Sequence, residues 1–140
     1  MSRRQARIAA MCLLYEREIA GEPGDGTLEE MKDILKTDKI IDDNREYIDK
    51  VLETYDKEKD AIDDRLRGFC RDWRLERISK VDISILRLAV IELDTMPEIP
   101  EKAVMNEAVE LAKKYSSDKA PSFINGVLGA YAKTLDRPEA

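Results

Sequence analysis

The sequence predicts an all-α fold of about seven helices. Every apolar run in the chain fits a 3.6-residue period better than an alternating one, and no stretch reads as a convincing strand. Residues 78–93, ISKVDISILRLAVIEL, are apolar on nearly every side of that period, as in a helix enclosed by other helices. This segment is shorter than the roughly 20 apolar residues of a membrane span, and Arg87 and Glu92 interrupt it, so a water-soluble core is its place. The buried helix is expected near 82–94, with Asp82 as its N-cap and Pro97 and Pro100 closing the connection after it.

The first helix is expected over residues 3–20, with Ile8, Met11, Cys12, Leu14, Tyr15 and Ile19 forming a wide apolar stripe. GEPGDG, residues 21–26, ends it. Its glycines follow no strand and precede no Lys-Ser/Thr pair, so they read as a connection and not as a phosphate loop. Thr27 then caps a short helix to about residue 36, with Glu30 at the capping-box position. A long pattern follows over 43–69, carried by Tyr47, Ile48, Val51, Leu52, Tyr55, Ile62, Leu66 and Phe69. DKEKD, residues 56–60, has no apolar residue and marks either a kink or a break between two helices. Residues 73–77 lead into the buried helix. Pro100 suits the first turn of a helix that turns Val104, Met105, Ala108, Val109, Leu111, Ala112 and Tyr115 inward. After the polar turn SSDKAP, a last helix over 122–135 places Phe123, Ile124, Val127, Leu128 and Tyr131 at core spacing.

A chain of 140 residues is most simply one domain, here 1–136 with a frayed tail at 137–140. It is long enough to bury roughly two-thirds of its unfolded surface without metals or disulfides. Cys12 and Cys70 sit in apolar helical patterns as free thiols, which points to a reducing compartment. The N-terminus has no apolar signal segment, and no stretch is long enough to span a bilayer. Cytoplasmic location is the expectation.

The net charge of −6 argues against nonspecific binding to polyanions, so any such site must be local. Residues 1–20 hold Arg3, Arg4, Arg7 and Arg17 against Glu16 and Glu18, whereas residues 42–64 carry ten acids against four bases. Those acids alternate with apolar positions at helical spacing and read as a solvated face. The chain has no histidine and no CxxC pair, and no nucleotide or hydrolase motif appears, so binding is the expected class of function and no cofactor or metal is expected.

Two places stand out. Arg3, Arg4 and Arg7 lie where a helix macrodipole is already positive, which disfavours cations by up to about 1 kcal/mol each. Exposed amides and guanidinium groups together make an anion site, for which single-stranded nucleic acid is one natural ligand; solvated charge at a chain end is the alternative. In FINGVL, residues 123–128, Gly126 costs about 1 kcal/mol relative to Ala, so close approach by a helix or a ligand is expected there. Phe123 either packs in the core, which its spacing favours, or offers a stacking face.

RRQAR followed by LLY, then VDISILRLAVIEL, IPEKAVMNEAVELAKKY and FINGVL, in this order and at these separations, resemble the NusB family of transcription antitermination factors. The resemblance runs over about residues 3–135. It implies two small packed helical bundles and a non-enzymatic role: binding the boxA element of nascent ribosomal RNA leaders together with NusE, a small-subunit ribosomal protein, within a complex on RNA polymerase. Carried over residue by residue, the RNA contacts fall on Arg3, Arg4, Arg7 and Phe123, with Lys119 at the turn before it. The NusE-facing positions are Tyr15, Ile19, Glu76 and Asp82. Gln5 stands where some relatives have a further arginine. Lys119, Ala120 and Pro121 replace acidic and hydroxyl residues that often contact RNA. A homodimer covering the RNA face is also within the family's range.

Three readings result: an RNA-binding antitermination factor, an acidic helical adaptor that binds proteins only, and the NusB-like head of an RNA methyltransferase. At 140 residues the third, which requires a catalytic domain as well, is the least expected.

Overall fold

The computed structural model describes residues 3–20, 42, 44–70 and 77–135. Five helices stand among them: α1 (Arg3–Ala20), α2 (Arg45–Arg67), α3 (Lys80–Thr95), α4 (Glu101–Tyr115) and α5 (Ala120–Ala132). The short helix expected from Thr27, the GEPGDG connection, residues 73–76 and the 137–140 tail lie outside the described residues. The count of about seven had also allowed for a break in the 43–69 pattern. Instead α2 runs through with a kink at Glu58, whose φ of −122° and ψ of 19° are not helical. Residues 56–60 are all exposed there, so no buried side chain holds the backbone to helical geometry.

The all-round apolar segment is the centre of the fold. α3 packs against α1, α2, α4 and α5; α1 also packs on α2, and α4 on α5. The result is two three-helix groups that share α3. Side chains fix the directions. Arg7 meets Glu92 and Glu18 meets Arg87, so α1 is antiparallel to α3. Ser116 meets Asp82, so α4 is antiparallel as well, whereas Tyr131 meets Asp94 and makes α5 parallel. Ile85, Leu86, Val90 and Ile91 of α3 are fully buried. Each such side chain contributes about 1.5–3 kcal/mol relative to exposure.

The two charges that interrupt α3 are paired inside the protein. Arg87 donates Nε to Asp63 Oδ1 at 2.9 Å, Nη2 to Asp63 Oδ2 at 2.8 Å and Nη1 to Glu18 at 2.7 Å. Its guanidinium also lies 5.4 Å from the centre of the Tyr55 ring. An arginine this buried would be strongly destabilising without those carboxylates.

Three helix starts differ from expectation. Ser79, not Asp82, caps α3: its hydroxyl accepts from the Asp82 amide at 3.0 Å. Pro100 stands at the N-cap of α4, where its carbonyl accepts from Ala103 and Val104. α5 begins at Ala120 instead of Ser122, taking Pro121 into a first turn that does not need its missing N–H. Gly126 is exposed with open space around it, so no other helix approaches it closely; at Gly129, by contrast, an added Cβ would lie 3.7 Å from the Met105 methyl. Both cysteines are free, Cys70 buried and Cys12 half-buried, and burial raises both thiols above their ordinary value. No described helix is long and apolar enough to cross a membrane, and no described His/Cys/Asp/Glu group could hold a metal ion.

Candidate nucleic-acid interface

The first turn of α1 has no acidic residue to complement the helix dipole. Arg4 and Arg7 take their carboxylates from other helices. Arg4, with a side chain 62% exposed, forks onto Glu107 of α4: Nε donates to Oε1 at 2.9 Å and Nη2 to Oε2 at 2.7 Å. The arrangement holds Glu107 below the usual carboxylate range, chiefly through the Arg4 hydrogen bonds, against a smaller opposing effect of burial. Arg7 lies one turn further on and is buried. Its Nη2 donates to Glu92 Oε1 at 2.7 Å and its Nε to both Glu92 oxygens, while the Tyr47 hydroxyl donates to Oε2 at 2.9 Å. Arg7, expected among the RNA contacts, therefore has its guanidinium tied into a buried network that joins α1, α2 and α3, while it also lines the trough beside Arg4. Arg3 opens α1.

Beside Arg4 lies an open trough of about 1320 Å³ between the start of α1, one face of α4 and the start of α5. Gln5, Asn106, Ser122 and Asn125 line it with neutral hydrogen-bonding groups, and Glu107, Glu110 and Lys113 with charge. Sequence reasoning missed these groups. The available signal was Asn106 and Asn125, poor helix formers that stand on exposed faces in the middle of helices.

Phe123 and Lys119 are elsewhere. They line a smaller recess of about 280 Å³ with Arg77, Ser79 and Asp82. Phe123 is half-buried and packs against the core, and Lys119 is exposed at the N-cap of α5. Arg4 and Arg7 therefore line one recess and Phe123 another, with the first turn of α5 contributing residues to both.

Of the positions expected to face NusE, Tyr15 and Ile19 are exposed by 39% and 60% at the end of α1. Glu18 between them is close to Lys80 and bonded to Arg87, which places them beside the start of α3. Asp82 is at the same end but nearly buried, accepting from the Ser116 hydroxyl at 2.6 Å. Glu76 lies outside the described residues. Tyr115, 39% exposed and under the Lys114 ammonium at 5.3 Å, adds a third exposed apolar side chain at the end of α4.

The NusB family model matches residues 4–133. A transcription antitermination protein NusB of Clostridium botulinum is 39% identical over 140 residues, spanning 92% of this chain and 98% of that relative. The structure of T. maritima NusB superposes with a TM-score of 0.80 at 34% identity, covering 95% of this chain and 92% of that one. A chain in the crystal structure of the antitermination factors NusB and NusE in complex with dsRNA matches with a TM-score of 0.83 at 29% identity, covering 95% of this chain and 97% of that one.

Proposed function

The chain belongs to the NusB family, and from that premise we propose that it is a non-enzymatic transcription antitermination factor of the cytoplasm. It binds boxA-type single-stranded RNA of ribosomal RNA leaders together with the ribosomal protein NusE, within a complex on RNA polymerase. The observation that carries this reading is the likeness, over 95% of the chain, to a chain solved with NusE and double-stranded RNA.

The local chemistry supports it. Arg4 brings an exposed guanidinium to the positive end of α1. Phe123 and Lys119, in the second recess, bring a ring for stacking and a second cation. RNA that reaches both sets spans the two recesses. Tyr15 and Ile19 expose apolar surface at the other end of α1, where an aromatic anchor suits a protein partner.

The test is the affinity of a labelled boxA-like single strand for the protein, measured by fluorescence anisotropy with and without purified NusE. Binding that strengthens with NusE supports the proposal. NusE binding with no RNA affinity in either condition would hand the case to the protein-only adaptor, a reading favoured by one observation: Arg4 and Arg7 both spend their charge on carboxylates of this chain. Sedimentation velocity in the same buffers reports whether the free chain pairs as a dimer.

A further inference from the structure

We infer that Glu107 is a specificity-determining residue of the RNA interface: it occupies the fork of Arg4 that a phosphate would take, so that only a ligand with further contacts displaces it. The inference rests on the RNA-binding reading above. Its physical basis is that a planar carboxylate and a tetrahedral phosphate each offer a pair of oxygens to the same planar donor. A guanidinium presents the same pair of parallel N–H donors to a carboxylate and to a phosphate, so the two compete for one position.

The geometry says which partner yields. Arg4 is 62% exposed, whereas Glu107 is 15% exposed and anchored in the middle of α4. Behind it stands Arg7, whose Nη1 is 3.6 Å from Glu107 Oε1 and whose own position is fixed by Glu92. If Glu107 swung away it would leave two guanidinium groups; if Arg4 swings out, Glu107 keeps the Arg7 contact. Arg4 is therefore the moving part, and a phosphate that draws it out must work against a carboxylate that stays. Glu110 also lines the trough and keeps Lys113 within 3.5 Å, so a bare phosphate finds little uncompensated positive charge there.

What the trough offers in addition is Gln5, Asn106, Ser122 and Asn125, whose amides and hydroxyl can meet base edges. A strand that makes those contacts can displace Glu107 from Arg4, whereas a strand offering backbone alone gains less. Discrimination through a repulsive group aimed at the wrong ligand is a general route to specificity.

The experiment compares a labelled boxA-like RNA with a scrambled RNA of equal length and composition, by anisotropy, for the parent, Glu107→Gln, Glu110→Gln, Arg4→Ala and the Arg4→Ala/Glu107→Gln double variant. Glu107→Gln should tighten the scrambled strand by about twofold to fivefold, the scale of an exposed ion pair, and the boxA-like strand by less. The effect should vanish in the Arg4→Ala background and be smaller for Glu110→Gln. Glu107→Asp, which withdraws the carboxylate while keeping its charge, should shift selectivity the same way and serves if Glu107→Gln proves unfolded by thermal melting. Unchanged affinities, an equal gain from Glu110→Gln, or a loss on both strands would overturn the inference, the last by making Glu107 a residue that orients Arg4 for RNA. A parent that binds neither strand, even with NusE, is the separate failure of the RNA reading.

Discussion

The Ser116 hydroxyl donates to Asp82 Oδ1 at 2.6 Å, joining the residue after α4 to the first turn of α3. The bond gives Asp82 a structural role beside any role at a partner surface, and the two can be separated. Asp82→Asn keeps the Oδ1 acceptor and does not touch the Ser79 cap, so the melting temperature should hold. NusE affinity should fall if the partner reads the negative charge. Asp82→Ala removes the acceptor and should also cost about 0.5–1.5 kcal/mol of stability. Equal NusE affinity for the parent and Asp82→Asn, by calorimetry, removes Asp82 from the partner face.

Arg7→Ala should destabilise the protein by about 3–5 kcal/mol in urea titrations, because it strands the Glu92 carboxylate inside the core with Tyr47 as its remaining neutral donor. Arg4→Ala removes an exposed pair and should lower the urea midpoint far less. If the two variants lose equal stability, the buried network is not what secures α1 to α3.

Acid should weaken the fold through two depressed carboxyls. Burial alone would raise Glu18, but the hydrogen bond and charge of Arg87 outweigh it; Glu107 is lowered chiefly by Arg4. A carboxyl whose folded pKa lies below its unfolded one adds stability above the unfolded value. The ordinary value is 4.5 for both, so their contribution is full at neutral pH and lost as pH falls through the lower folded values. Glu18→Gln should lower stability at neutral pH and flatten the decline below about 4.5. An acid limb as steep as the parent's would remove Glu18 as a contributor.

The long-period features of the fold were legible in the sequence and the cross-chain ones were not. α1 occupies the expected span because its stripe ends at a glycine connection, and DKEKD marks the kink because it has nothing to bury. The α3 cap was misplaced because Ser79 and Asp82 are both good capping residues three positions apart. Arg4 and Arg7 share a helix face by spacing, yet one is exposed and the other enclosed. What encloses Arg7 is Glu92, 85 positions away, which no local pattern reveals. Gly126 has no neighbouring helix against it, and a missing side chain does not say which way it faces. The trough's asparagines carried only a weak propensity signal.

The separate recesses set how the RNA contacts should fail. With Arg7 held by Glu92, the proposal leaves Arg3 and Arg4 as the phosphate contacts to test first at the start of α1, and replacing both with Ala should flatten the log–log salt dependence by about 1.4 units, at roughly 0.7 per phosphate on a single strand. Phe123→Ala should leave that slope nearly intact and cost about 1–3 kcal/mol through lost stacking. Phe123 is also packed against the core, so thermal melting must accompany the measurement. An affinity loss with an unshifted melting temperature assigns the ring to the RNA. Because Arg4 and Phe123 line different recesses, the effects of the two sets should add in a triple variant, as for sites with no shared partner. Strong non-additivity would mean that the two sets act on a shared part of the strand.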